Sequence, residues 1–227
     1  MRIIQISGKG RVGKTTLAHL IAKYSFELGY IPVILPFADA IKKQAAALGI
    51  TKEKDSSAYR EFCQQLGANR RSEDPDYWVV RSYESIQEYM IKELDNKKEG
   101  KTNFEYVIIQ DDVRYMNELA FGRDVVATQI FLSQGIRKLE EEDADWRNHE
   151  SETLANDIEY SYKKANIQGK YDDLFDVVVT NDGELDDLDY LVKQAIEYWL
   201  DIGYLELEEY NDDADNISHG SDDASSA

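Results

Sequence analysis

The run SGKGRVGKTT, residues 7–16, constrains this chain more than any other stretch. It satisfies the pattern G-x-x-x-x-G-K-[ST] through Gly8, Gly13, Lys14 and Thr15. It also sits between a short apolar run, RIIQIS, and a segment of helical periodicity, KTTLAHLIAKYSFELG. Strand, glycine-rich turn and helix in that order are what a phosphate-binding loop requires. Gly8 and Gly13 let backbone N–H groups turn inward around phosphate oxygens, and the helix starting near Lys14 adds its positive end. In such a loop Lys14 reaches the β- and γ-phosphates of ATP, the Thr15 hydroxyl ligates Mg²⁺, and Thr16 completes the nucleotide-binding run.

The rest of the chain supplies matching units. IPVILPF reads as a second strand, with Pro32 and Pro36 near its ends. ADAIKKQAAALG is a short helix closed by Gly49, TKEKDSSA a polar loop, and YREFCQQLGANRR helical up to Gly67. In DPDYWVVRSYESIQEYMIKEL, Asp74 is placed to cap a long helix, with Pro75 at its first position. FEYVIIQDD is a strand ending in two aspartates, RYMNELAFG a helix stopped at Gly122, and DVVATQIFL another buried strand. FDVVVTND and ELDDLDYLVKQAIEYWLDIG form the last strand and helix.

Strands alternating with helices predict βαβ units with right-handed crossovers. The expected fold is therefore α/β, a three-layer P-loop NTPase fold with a parallel sheet of about five strands and helices on both faces. Catalytic groups belong at the carboxyl ends of its strands. Asp111 and Asp112 end a strand that faces the loop, so they are candidates for orienting Mg²⁺; capping the following helix is the other role their position allows.

Charge and cysteine usage narrow the function. The net charge of −19 argues against sequence-independent binding to nucleic-acid backbones. Removing the acidic run ELEEYNDDADNISHGSDDASSA still leaves an acidic body, and the run itself reads as a disordered tail over residues 205–227. One cysteine, Cys63, forms no internal disulfide, which suits a reducing cytoplasm. Nothing resembles a signal peptide, and the apolar runs are of strand length, so no membrane span is expected. Three histidines and one cysteine show no zinc-ligand spacing.

Four further segments give the chain a resemblance. They are PFADAIK; REFCQQLGANRR followed by DPDYWV; VIIQDDVRYMNE; and HESE ahead of FDVVVTNDGEL. In this order after a phosphate loop they resemble the deoxynucleoside monophosphate kinases of tailed phages, from about residue 2 to about residue 197. The resemblance implies a kinase domain over residues 1–204, with a helical monophosphate-binding insertion at about 38–100 and a lid at about 133–172. It implies ATP and Mg²⁺ as cofactors, a deoxynucleoside monophosphate (dNMP) as substrate, and a homodimer as one possible assembly.

On that resemblance Lys14, Arg60 and Arg114 would be catalytic, with Arg11 near the donor phosphates. Ile41, Lys42, Arg60, Gly67, Arg70, Trp78, Asp112, Arg114, Glu118 and Glu152 would line the acceptor pocket, Trp78 supplying a face for the base. Trp78 on an amphipathic helix is equally well a core residue, and of the adjacent Arg70 and Arg71 one could be a plain surface charge. The chain departs from the family at the phosphate loop, where Thr15 follows the lysine instead of an aspartate. It departs again in the lid, whose arginines are Arg137 and Arg147 within an acidic stretch.

Other readings of the loop stay open. Lys9 stands where partitioning ATPases of the ParA/MinD type keep a signature lysine. Arg11, however, occupies the position of that family's second glycine and would crowd a partner subunit. A kinase of another small acceptor, such as dephospho-coenzyme A or a sugar acid, and a nucleotide-binding regulator without turnover also fit the loop.

Overall fold

The computed structural model describes residues 1–101, 105–134, 152–163, 174–181 and 185–201. In chain order the elements are β1 (Arg2–Ser7), α1 (Lys14–Glu27), β2 (Ile31–Ile34), α2 (Asp39–Ala47), α3 (Ser56–Glu73) and α4 (Tyr77–Lys98). They continue with β3 (Tyr106–Val113), α5 (Met116–Asp124), β4 (Thr128–Gln134), α6 (Thr153–Lys163), β5 (Val177–Asn181) and α7 (Leu185–Asp201). The strands form one parallel sheet in the order β2-β3-β1-β4-β5. The fold is thus α/β with a phosphate loop after its central strand, as the alternating pattern predicts.

The pleat sorts each strand between two cores. Ile4 and Ile6 face α1 and α7, packing with Leu17, Ile21, Val192 and Ile196. Ile3, one residue earlier in the pleat, points the other way, where Ile108 and Phe131 meet Ile86 of α4, Leu119 of α5 and Ile158 of α6. Each fully buried isoleucine contributes roughly 1.5–3 kcal/mol.

The central strands carry an unexpected polar ladder. Gln5, Gln110 and Gln129 lie in register on β1, β3 and β4 and are buried. Gln5 donates to Gln110, Gln129 donates to Gln5 and to the Leu119 carbonyl, and Gln110 donates to Ser82 of α4. Such amides are tolerated in a core because each finds a partner. Gly122 makes room for them: a Cβ there would sit 2.0 Å from the Gln5 Oε1.

Three local expectations are corrected. Helix α3 does not stop at Gly67 but runs on to Glu73, and it starts at Ser56 because Asp55 accepts hydrogen bonds from the Ser57 and Ala58 N–H groups. Asp74 and Pro75 precede α4 rather than open it, and Asp74 accepts from the Asp76 N–H, closing the turn between the two helices. Helix α5 passes through Gly122 to Asp124.

Candidate active site

The phosphate loop closes on the strand ends as the motif requires. Gly8 has φ +144°, and a Cβ there would lie 2.4 Å from the Leu132 carbonyl oxygen of β4, so only glycine fits. Gly13 has φ +104° and abuts the Asn181 side chain of β5, which donates to the Val12 carbonyl at 2.8 Å. Arg11 takes φ +62° at the exposed crest of the loop. Lys14 is buried, and its ammonium donates to the Gly8 and Lys9 carbonyls, each at 2.6 Å. Burial, then the nearby Arg114, lowers its pKa to about 8, while Glu152, Asp112 and Asp111 pull the other way.

The two aspartates that end β3 divide their tasks. Asp111 accepts from the Thr15 hydroxyl at 2.7 Å, while Thr16 is exposed beside it on the first turn of α1. A hydroxyl and a carboxylate at that distance form the all-oxygen donor set that suits Mg²⁺, a hard cation. Asp112, given above both as metal ligand and as substrate contact, turns elsewhere. Its two oxygens accept from the Phe37 and Ala38 N–H groups at 2.7 and 3.1 Å, pinning the turn that leads into α2. Burial raises its pKa, partly offset by Lys42, which stands exposed on α2.

A second array begins one residue beyond β3. Glu118 is buried, yet its carboxylate accepts from the Arg114 N–H at 2.7 Å, the Tyr115 N–H at 3.2 Å and the Arg71 guanidinium at 3.3 Å. Burial outweighs those donors and lifts its pKa to about 7. The Arg71 guanidinium also lies over the Tyr115 ring, 3.9 Å from its centre. Arg114 reaches across to pair with Glu152, whose other oxygen accepts from the Gly10 N–H of the phosphate loop at 2.7 Å. Glu152 therefore bridges the loop and Arg114.

The helical segment contributes differently from expectation. Of the adjacent arginines, Arg71 enters the site, whereas Arg70 turns outward to Glu73 and the Tyr77 ring. Arg60 is exposed on the same side of α3, three turns or roughly 16 Å before Arg71. Trp78 is 1 % exposed and its indole N–H donates to the Gly67 carbonyl at 3.1 Å, so it fastens α4 to α3 and offers no open face to a base. Gly67 and Ile41 are buried wall: a Cβ on Gly67 would meet the Arg71 guanidinium at 3.1 Å and Ile41 at 3.5 Å. Arg137 and Arg147, and most of the expected lid, lie outside the described residues, as does the acidic tail.

Sequence reasoning missed Asn181 and the glutamine ladder, and it left Arg71 undistinguished from its neighbour. A signal for Arg71 exists: it lies one helical turn after Gly67, whose missing side chain makes its room.

No protein-family model matches the chain, and no curated protein matches it in sequence. Among solved structures it is similar to shikimate kinase from Bacteroides thetaiotaomicron at 12 % identity and a TM-score of 0.38, covering 87 % of this chain and 97 % of that one. Shikimate kinase from Aquifex aeolicus is similar at 14 % identity and a TM-score of 0.37, with the same coverages. Likeness at that level carries no argument about acceptor or chemistry. Among the described residues no helix is long and apolar enough to cross a membrane.

Proposed function

We propose that the protein is an ATP-dependent deoxynucleoside monophosphate kinase, transferring the γ-phosphoryl group of ATP to a dNMP to give dNDP and ADP. One observation supports this reading above the others. Glu152 places a carboxylate on two anion-binding donors at once, the Gly10 N–H of the phosphate loop and the Arg114 guanidinium. A donor-side amide and an acceptor-side guanidinium are thus within one carboxylate's span, a separation that suits phosphoryl transfer between two anionic substrates.

The geometry supports the following roles. The loop amides and Lys14 hold the donor phosphates, and Lys14 is cationic below its pKa of about 8. Thr15 and Asp111 would hold Mg²⁺, which when bound neutralises charge on the donor phosphates. Arg114 and Arg71 offer planar forks for the acceptor phosphate. Glu118 fixes both, Arg71 by its side chain and Arg114 through its backbone N–H. An acceptor phosphate oxygen is already anionic, so no strong base is needed. It bonds to the γ-phosphorus as the bond from that phosphorus to the bridging oxygen of ADP breaks. Ile41 and Lys42 border the acceptor side, where Asp112 sets the start of α2. The dNMP preference, and a role in viral DNA synthesis within a host cytoplasm, rest on the sequence resemblance.

A panel assay tests the reading: ADP release with Mg²⁺-ATP and each common dNMP, each NMP, shikimate or dephospho-coenzyme A as acceptor. Release that requires one or more dNMPs supports it. Release driven by shikimate or dephospho-coenzyme A alone replaces the acceptor class, and slow ATP hydrolysis indifferent to every acceptor rejects the kinase.

A further inference from the structure

Glycine explains why the backbone at residue 13 can take φ +104°, but not why it does. Glycine populates positive and negative φ about equally. A half-turn of the Val12–Gly13 peptide plane would return Gly13 to negative φ, where its ψ of 14° is also allowed. The two states differ in what they offer an anion. In a planar trans peptide the C=O and the N–H point in opposite directions. One state therefore turns the Gly13 N–H to the phosphates, and the other turns the Val12 carbonyl oxygen there, which repels them.

The choice between the two states is made from β5. Asn181 is the last residue of that strand, paired with Gln134 of β4. Its side-chain amide donates to the Val12 carbonyl at 2.8 Å, drawing that oxygen toward the sheet edge. The Val12 side chain is buried in the core beside it, so the peptide is held at both ends. A Cβ on residue 13 would lie 2.9 Å from the Asn181 Nδ2. The glycine thus admits the amide, and the amide selects the conformation of the glycine.

We propose that Asn181 is a positioning residue for the donor phosphates. It holds the Val12 carbonyl toward β5, so that the Gly13 N–H is aimed at the phosphates before they arrive and no reorientation opposes their binding. This role rests on the donor half of the proposed function, the binding of ATP phosphates by the loop, and not on the choice of acceptor.

Calorimetric titration of the full-length protein with ADP, which needs neither acceptor nor turnover, tests it. Asn181→Leu removes the donor and should weaken ADP binding by roughly 5–10-fold. Asn181→Asp should weaken it by more than about 30-fold near pH 8, because a carboxylate repels both the Val12 carbonyl and the phosphates. Lowering the pH to about 5.5 should shrink the Asn181→Asp deficit relative to wild type, since a protonated carboxyl donates as the amide does. The Asn181→Leu deficit should not change with pH. Thr180→Ala, at an exposed position of the same strand, should bind ADP as the wild type does. In protein labelled with 15N-glycine, the Gly13 amide resonance should move on ADP saturation far more in the wild type than in Asn181→Leu.

Unchanged ADP affinity in both Asn181 variants overturns the proposal. So does an Asn181→Asp deficit equal at both pH values and accompanied by a lower urea midpoint, since the amide would then only brace the strand. A wild type that binds no ADP overturns it together with the kinase reading. Weaker ADP binding by the variants, in a protein that phosphorylates no dNMP, upholds the role of Asn181 and removes the acceptor assignment alone.

Discussion

Two glutamates are buried at opposite edges of the same sheet, and their carboxyls respond to burial in opposite ways. Glu93, at the amino edge, accepts from the Met1 amino group at 3.0 Å, Lys97 at 3.1 Å and the Tyr106 N–H at 3.0 Å. Burial alone would raise its pKa, but the Tyr106 N–H, the Met1 amino group and Lys97 together bring it below the ordinary value. Glu118, at the carboxyl edge, has two backbone N–H groups and one arginine at 3.3 Å, and burial prevails, raising its pKa to about 7. The difference lies in how completely each charge is compensated. The amino edge is a finished structural seal, whereas the carboxyl edge holds charged groups only partly satisfied, in reach of a ligand that could complete them.

The largest expected effect lies at the carboxyl edge. Lys14→Ala should lower turnover at saturating ATP by roughly 10²–10³-fold or more, with urea unfolding little changed. A comparable loss of stability would mean that the lysine serves mainly as a strut for the loop. At the amino edge the pattern should invert. Glu93→Gln should cost about 3 kcal/mol near pH 7 and leave kcat unchanged. Because the folded pKa of Glu93 lies below 4.5, that deficit should be present above about pH 4.5 and fade as pH falls through the folded value.

Glu118→Gln sharpens the contrast through its opposite sign. A folded pKa of about 7 against an ordinary 4.5 means that the native state binds more protons across that window. Glu118 therefore adds stability that is full below about pH 4.5 and lost as pH rises through about 7, on the order of 3 kcal/mol in all. The variant should flatten that slope in urea melts taken at successive pH values. If the slope survives the substitution, the titrating group lies elsewhere.

Smaller effects separate individual contacts. Glu152→Gln removes a charge from the Gly10 N–H and Arg114, so ATP should bind several-fold more tightly in calorimetric titration. Weaker binding would mean that the carboxylate orders the loop more than it blocks it. The smallest effect belongs to Arg70→Ala, which should shift stability by less than about 0.5 kcal/mol and leave the KM for the acceptor alone, whereas Arg71→Ala should raise that KM. Equal responses from the two would erase the distinction between an outward and an inward arginine.

The parts legible in sequence are those governed by backbone geometry. Gly8 and Gly13 announce the loop because no other residue fits their torsions, and apolar runs announce the strands because parallel strands are covered on both faces. The acid that follows Arg114 by one helical turn was visible as a pattern, but its protonation depends on burial by distant segments. Of the two aspartates, Asp112 reads as the first candidate for orienting Mg²⁺ and Asp111 as the second, but the fold turns Asp111 to Thr15 and Asp112 to the Phe37 and Ala38 N–H groups. Trp78 was ambiguous because amphipathic periodicity does not say whether a groove is open or filled. Gly67 read as a helix stop, yet tertiary packing overrides its propensity by using the missing side chain for Arg71. The glutamines of β1, β3 and β4 each looked like a single polar exception, and their partnership exists only once the strands are in register.

In the proposed reaction the loop and the arginine array work on one phosphoryl group. The most direct measurement follows the γ-phosphate of labelled Mg²⁺-ATP in the presence of each dNMP, separating nucleoside diphosphate from free phosphate by chromatography. Label should appear in dNDP for at least one dNMP and be lost in both Lys14→Ala and Arg114→Gln. Label that appears only as free phosphate, at a rate no dNMP alters, would contradict the proposed reaction.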